Sequence, residues 1–233
     1  MTWIIIICVI AVAVLLCFLL AIANFSYDKF MQRYRQLSNQ SIRSGITTLQ
    51  FVDMLNSQYF GGTLKIVQIE KEAGDAYGGG RLFLSTKTIY QPSIASFTII
   101  AHEIGHAKQD IEGKKLKRLN FLRKLGRIVG LLLTPCLIAG IVMLILGYSL
   151  IGFVLFGVAG GIFILALVIK LMTIAIEKDA SKKALGFLEM ILGDEELRTS
   201  KRFLKDAGLT YWADFLRIIL GWTGISKKSK LFN

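Results

Sequence analysis

"TIIAHEIGHAKQD", residues 98–110, contains both histidines of this 233-residue chain. His102 and His106 are four positions apart, and Glu103 directly follows the first of them. Residues four apart lie on one face of an α-helix, so the two imidazoles can converge on one point. Glu103 is rotated by about 100° from His102 and can reach a water molecule bound at that point.

The residues around this motif have helical spacing. Pro92 and Ser93 are typical of a helix start, and Gly113 permits a helix end. Between them, apolar side chains recur at three- and four-residue intervals, and the opposite stripe is polar. The apolar positions are Ile94, Phe97, Ala101 and Ile104, and the opposite stripe is Thr98, His102, His106 and Gln109.

A metal ion explains why both imidazoles are on neighbouring helical turns. Zinc binds neutral imidazoles at about 2.0–2.1 Å, and catalytic sites keep one position for a water whose pKa falls to near 7. Glu103 is placed to take a proton from that water and to hand it to a leaving amine. Two polar side chains satisfied at a helix surface are the alternative, but H-E-x-x-H is specific. The motif predicts one zinc ion per chain.

The chain is too apolar for an ordinary soluble protein, since 54% of its residues are hydrophobic and its mean hydropathy is +0.57. Crossing a bilayer takes about 20 apolar residues. Three stretches satisfy this length: Trp3 to Ala23, Arg127 to Gly147, and Leu150 to Ile169. The first lacks the basic region and cleavage site of a secretory signal, so we predict a retained anchor. The other two, rich in glycine, predict a tight hairpin.

Nearly all the cations behind the formal net charge of +12 lie outside the predicted crossings, and only Arg127 touches one, at its end. Seven of them fall within residues 114–127, whereas residues 1–2 and 148–149 carry no charged side chain. By the positive-inside rule, residues 24–126 and the tail from Lys170 face the cytoplasm. Some of the basic clusters are expected to lie against anionic lipid head groups. No basic motif interleaved with aromatics is present, so nucleic acid is not an expected partner.

The region between the anchor and the histidine helix is of mixed type. Residues 25–59 contain few breakers, which predicts one or two helices that end at the glycine pair 61–62. Residues 64–70 alternate apolar and polar side chains, and residues 81–90 are rich in β-forming types. "AGDAYGGG", residues 73–80, is expected to be a turn or loop between them. This predicts a small sheet.

A third zinc ligand must be a carboxylate or a cysteine, because no other histidine exists. All three cysteines lie in predicted crossings. "IAIEKDASKKALGFLE", residues 174–189, is predicted to be a helix that emerges from the third crossing. Its Glu177 and Asp179 are about 200° apart, so they cannot both face one ion. Spacing alone does not choose between them.

The order of these features resembles a known family. "AHEIGHAKQD" (101–110), a basic segment, a membrane hairpin and then "EKDASKKAL" (177–185) resemble the YugP-type family of bacterial membrane zinc metallopeptidases over essentially the whole chain. The chain is more distantly similar to HtpX-like and CAAX-prenyl-type proteases. These are gluzincins that also have transmembrane helices between the histidine helix and a glutamate ligand.

The resemblance assigns roles to particular residues. It implies His102, His106 and Glu177 as zinc ligands and Glu103 as the general base. Asp179 would then orient a ligand histidine, with a solvated helix charge as the alternative.

The resemblance also concerns the segment before the histidine helix. "GGRLFLSTKTIY", residues 79–90, resembles the gluzincin edge strand along which an extended substrate pairs, although an ordinary core strand is the alternative. The family often has a histidine in a "D-H-Y"-like segment, where this chain has Asp75, Ala76 and Tyr77. This departure leaves Tyr77, and less readily Tyr211, as a hydroxyl donor to the oxyanion. Tyrosine is more often a packing residue.

The expected fold is a mainly α membrane protein with a small α+β zincin-like catalytic region. Four segments are predicted: an N-terminal transmembrane anchor (1–24), the catalytic region (25–126), a transmembrane hairpin (127–170), and a helical region with the third ligand (171–233).

The expected activity is that of a zinc endopeptidase in the bacterial cytoplasmic membrane, with its site on the cytoplasmic side. Its tethering near the bilayer favours membrane-associated protein or peptide substrates. Two alternatives stay open: a catalytically weak membrane adaptor that retains a structural zinc, and a zinc amide hydrolase with a non-peptide substrate. A transporter is disfavoured, because the crossings contain almost no ionisable residues.

Overall fold

The computed structural model describes residues 2–70, 74–113 and 115–219, and of residues 2–16 it describes only the side chain of Val14. Met1, Ala73, Lys114 and the segment 220–233, to which some predictions refer, lie outside these ranges. Within the ranges the chain forms seven helices and three strands. They are α1 (Thr2–Ser38), α2 (Thr48–Phe60), β1 (Lys65–Ile69), β2 (Ala76–Gly78), β3 (Arg81–Ser85), α3 (Thr86–Tyr90), α4 (Ile94–Glu112), α5 (Lys115–Ile145), α6 (Ser149–Leu188) and α7 (Asp194–Ile219).

The mainly helical fold with a small sheet is confirmed, and α5 and α6 are both long and apolar enough to cross a membrane. Many of their apolar side chains are exposed, among them Ile138 and Ile164. The N-terminal crossing stays a prediction, although α1 is helical throughout. The predicted segment boundaries at 24, 126 and 170 fall inside α1, α5 and α6. Each predicted crossing therefore lies on a helix that extends into one of the two regions that carry the candidate ligands.

The sheet has the order β1-β3-β2, with β1 parallel and β2 antiparallel to β3. β2 lies within the segment expected to be a turn or loop, so that expectation is wrong for its three residues. Asp75, directly before β2, explains the difference. Its buried carboxylate accepts hydrogen bonds from the Ser85 N–H at 2.7 Å and the Thr88 hydroxyl at 3.0 Å. These bonds fix β2 beside β3.

The segment 79–90 also differs from its expectation. Only its first half is a strand, because the Ser85 side chain accepts a hydrogen bond from the Thr88 N–H and starts α3. β3 is the central strand, since β1 and β2 flank it. The assignment of residues 79–90 as a substrate-binding edge strand is therefore wrong. The edge that packs against α4 is β2.

α4 has the predicted bounds and is the most enclosed helix of the site region. The Ser93 side chain accepts a hydrogen bond from the Ser96 N–H at its start, and Gly113 follows its last residue. Helices from both halves of the chain pack around it, as does the sheet. Its apolar face is in the main core, where the rings of Phe51 and Phe97 are 5.4 Å apart. The polar stripe is buried as well. Thr98 contacts Ser200 of α7, and the rest of the stripe faces α6.

Gly105 sets how closely α4 approaches α6. A Cβ atom at this position would lie 2.5 Å from the carbonyl oxygen of Ala180, which is closer than real Cβ contacts. Only glycine permits this distance between the two backbones. Glu177 precedes Ala180 by three residues, so the contact brings Glu177 to the face of α4 that carries the histidines.

We predict that Gly105→Ala separates the two helices and lowers the free energy of unfolding by about 1–3 kcal/mol, the usual cost of overpacking. Gly186→Ala is the matched control in α6, because a Cβ there meets no atom within 4 Å. The control gains helix propensity of up to about 1 kcal/mol. Denaturant unfolding of both variants in detergent measures the difference, and equal stability of the two would contradict the role of Gly105.

Candidate metal centre

The structure brings His102, His106 and Glu177 together. Their possible ligand atoms lie within 4.8 Å of one another, and all three side chains are buried. Oε2 of Glu177 is 3.5 Å from Nε2 of His102 and 3.3 Å from Nε2 of His106. Ligands in a tetrahedral zinc site with bonds of about 2.0–2.1 Å are about 3.3–3.4 Å apart. The donor set and its spacing therefore fit one zinc ion.

Hydrogen bonding around Gln109 determines how His106 presents its ring. Nε2 of Gln109 donates to the Ile176 carbonyl and to Oδ2 of Asp179, both at 2.8 Å. The opposite amide orientation would place Oε1 against two acceptors, so Oε1 faces Nδ1 of His106 at 2.9 Å. An amide oxygen only accepts, hence Nδ1 carries the hydrogen. The lone pair of Nε2 then faces the Glu177 carboxylate, an arrangement that requires a shared cation, either a metal ion or a proton.

Electrostatics at His106 agree with this arrangement. Burial lowers the pKa of its imidazole, but the hydrogen bond and the charge of Glu177 outweigh burial, and the pKa of His106 is raised. The surroundings of His106 therefore favour positive charge on its imidazole.

Asp179 does not bond to a ligand histidine directly. Its carboxylate accepts hydrogen bonds from Gln109 and from Nζ of Lys115 at 3.1 Å, and Gln109 lies between it and His106. The proposed orienting role of Asp179 thus passes through Gln109, which the sequence interpretation did not single out. The signal was present, because Gln109 shares the polar stripe of His102 and His106. On the other ring, the Ser181 hydroxyl lies 3.3 Å from Nδ1 of His102.

Glu103 lies beside the three candidate ligands and is buried. Burial raises the pKa of its carboxyl, the imidazoles of His106 and His102 oppose this, and the pKa stays above its ordinary value. Oε2 of Glu103 accepts a hydrogen bond from the Tyr77 N–H at 2.8 Å. The outer edge of β2 therefore holds the carboxylate in place.

The Tyr77 hydroxyl bonds to Asp110 rather than to a candidate ligand, which does not support its assignment as an oxyanion donor. The hydroxyl donates to Oδ2 of Asp110 at 3.0 Å, two helical turns beyond Glu103 along α4. Burial and this hydrogen bond raise the pKa of Tyr77 to about 12. It is the backbone N–H of Tyr77, and not its hydroxyl, that bonds to Glu103.

Two other side chains bind Glu177. Tyr211, the less favoured candidate, donates its hydroxyl to Oε2 at 2.8 Å, and Arg123 donates Nη2 to Oε1 at 2.6 Å. Burial and the charge of Glu177 raise the pKa of Tyr211 well above its ordinary value, so its hydroxyl keeps its proton. Nothing in the sequence separated Arg123 from the six other cations of its basic segment, because its role depends on where α5 packs.

Two histidines from one helix and a glutamate from a later helix define a candidate metal centre of the H-E-x-x-H type. Residues 5–223 match the model of the family described as "Putative neutral zinc metallopeptidase", and the chain belongs to this family. The expected family is therefore confirmed. Neither the curated proteins nor the solved structures contain a match to the chain.

We predict that wild-type protein purifies with zinc, that His106→Ala and Glu177→Ala lose it, and that Asp179→Ala retains it with lower affinity. The reason is that Glu177 faces both imidazoles, whereas Asp179 faces Gln109 and Lys115. Metal analysis by mass spectrometry gives the zinc content per chain. Zinc retained by Glu177→Ala and lost from Asp179→Ala would reverse the ligand assignment.

The orienting role of Gln109 predicts that Gln109→Ala weakens zinc binding by about 10–100-fold, as is typical for partners of ligand histidines. Gln68→Ala is the matched control, because Gln68 is an exposed glutamine on β1. Competition with a chromogenic chelator measures both affinities. The orienting role is excluded if Gln109→Ala and Gln68→Ala bind zinc as tightly as the wild type.

Proposed function

We propose that the protein is a zinc-dependent endopeptidase anchored in the cytoplasmic membrane. The observation that carries this proposal is the convergence of His102, His106 and Glu177 on one point, with the carboxylate of Glu103 beside them. Membership of a family described as zinc metallopeptidases supports it. These three residues would hold a zinc ion, which would supply an activated water and polarise the carbonyl group of the scissile bond.

Glu103 moves the protons of the reaction. Its carboxylate accepts a proton from the attacking water, whose oxygen adds to the carbonyl carbon. The carboxyl then donates this proton to the nitrogen as the C–N bond breaks. The remaining hydroxyl proton passes to the amine, so that a carboxylate and an ammonium group leave. The Tyr77 N–H fixes one oxygen of Glu103 during both transfers.

Tyr211 is the candidate donor to the developing oxyanion, in place of Tyr77. Its hydroxyl lies against Oε2 of Glu177, the oxygen that faces the histidines, and it retains its proton. A preorganised donor at this position stabilises negative charge on the carbonyl oxygen more in the transition state than in the ground state.

The position of the centre favours a membrane-associated protein substrate over a freely diffusing one. Glu177 follows Lys170 by seven residues on the continuous helix α6, which is about 10 Å along the helix axis from the predicted membrane face. The seven cations of residues 114–127 support a cytoplasmic location for the site, since positive segments stay on that side. Lipid is thus a proposed partner, and nucleic acid is not.

A second function is favoured by one observation. The residues His102, Glu103, His106 and Glu177 are at most 5% exposed. Closed zinc sites are typical of structural metals, so the protein would then be an adaptor that retains zinc without hydrolysis.

Substitution of Glu103 separates the two functions. For a peptidase, Glu103→Gln keeps zinc but loses cleavage by at least about 100-fold, because the general base is removed. Cleavage of unfolded protein and of a lipid-embedded substrate is measured beside zinc content, with Glu112→Gln as a control at an exposed glutamate. An adaptor retains its cellular phenotype in Glu103→Gln. Hydrolysis of simple amides without protein cleavage would indicate a non-peptide substrate.

The two tyrosines are predicted to differ in their effect on catalysis. Tyr211→Phe lowers kcat by about 100-fold or more at saturating zinc, because it removes an oxyanion donor. Tyr77→Phe removes only the bond to Asp110 and lowers kcat by less than about tenfold. Steady-state kinetics on one peptide substrate compares them. A larger loss for Tyr77→Phe would return the donor role to Tyr77.

A further inference from the structure

The exposed face of α7 changes character along the helix. Lys201, Arg202 and Lys205 are exposed in its first half. Leu209 and Trp212 follow on the same face, at intervals of four and three residues, and are 39% and 38% exposed. A helix surface that passes from cations to large apolar side chains is typical of a helix that enters a membrane interface.

The second half of α7 packs against the part of α6 that is predicted to lie in lipid. Phe215 is buried against Ala166 and Ile169, and its ring is 6.5 Å from the ring of Phe163. Phe163 precedes Lys170 by seven residues, which places it about 10 Å inside the predicted apolar span. The helical backbone of α7 continues to Ile219, one turn beyond Phe215.

The same part of α7 contacts the metal centre. Tyr211 bonds to Glu177, and Nζ of Lys170 lies over the Tyr211 ring at 5.6 Å from its centroid. Phe215 follows Tyr211 by only one helical turn. A single turn of α7 therefore connects the candidate metal centre with the apolar layer.

We propose that residues 209–219 of α7 form a membrane-interface helix end whose Leu209 and Trp212 side chains contact phospholipid. The occupant of this face is lipid, because the face is continuous with the surface of α6 near Phe163, which is itself 42% exposed. Trp212 also packs edge-on against Phe215, so it lies next to the residue that contacts the predicted apolar span.

The inference rests on the proposed membrane-anchored peptidase and narrows its substrates. Tyr211 is then held at the bilayer surface. The substrate peptide bond that reaches the metal centre therefore belongs to a juxtamembrane segment of a membrane protein. The site is then fixed at the bilayer by α7 as well as by the hairpin.

Tryptophan fluorescence in liposomes tests the depth of α7. The chain carries three tryptophans, and Trp3→Phe with Trp222→Phe leaves Trp212 as the only one. The protein is reconstituted in phosphatidylcholine vesicles whose acyl chains are brominated near the head group or near the chain ends. We expect blue-shifted Trp212 emission. We also expect bromine to quench this emission, and to quench it more near the head group than near the chain ends.

Tryptophans at other positions supply the comparison. Each comparison variant has one tryptophan, in the same background with Trp212→Phe. Bromine is expected to quench Leu209→Trp less than Trp212, and Lys205→Trp less than Leu209→Trp. Tyr90→Trp is the control in the region remote from lipid. Tyr90 is exposed and lies just before α4, and the first residue of α4 bonds to Gln40, beyond the end of α1. Bromine is not expected to quench the emission of this control.

Two results would overturn the proposal. In both, bromine quenches Trp212 no more than the Tyr90→Trp control. Red-shifted emission would then place Trp212 in water, and blue-shifted emission would show that protein covers it. Zinc content and peptide cleavage of each protein are measured separately. If the zinc-loaded protein cleaves no peptide while bromine quenches Trp212, the proposed function is excluded and the membrane contact of α7 stands.

Discussion

The close approach of α4 and α6 is the constraint on which the rest of the structure depends. The absence of a side chain at Gly105 lets the backbone of α4 lie against the Ala180 carbonyl. That contact sets Glu177 of α6 opposite two imidazoles of α4, and it also places Asp179 at Gln109 and Ser181 at His102. One glycine inside the H-E-x-x-H motif thus determines where three side chains of another helix lie.

The centre is buried, and buried polar groups destabilise a protein unless they are paired. Among the described residues, every buried side-chain nitrogen or oxygen has a hydrogen-bond partner. Glu177 is paired most extensively, since it faces two imidazoles, Arg123 of α5 and Tyr211 of α7. Because α5 and α6 continue from the candidate membrane spans into the centre, these two helices also position the ligand set.

Local sequence patterns predicted the parts of the site that depend on one helix. The bounds of α4, its polar stripe and the small sheet follow from spacing and from capping residues such as Ser93. Spacing left Glu177 and Asp179 open as the third ligand, and only the family resemblance chose Glu177, which the structure brings to the histidines. The contacts of Arg123 and Tyr211 were not predictable, because they depend on the packing of distant helices. β2 was missed because three residues give too short a pattern and because side-chain bonds of Asp75 hold it.

The central claim is that one metal ion binds between two residues of α4 and one of α6. Anomalous X-ray diffraction at the zinc absorption edge, from crystals of the full chain grown with zinc, tests it directly. The account predicts one strong anomalous peak within bonding distance of Nε2 of His102, Nε2 of His106 and the Glu177 carboxylate. A peak at other residues, or a Glu177 carboxylate outside bonding distance of the metal, would contradict it.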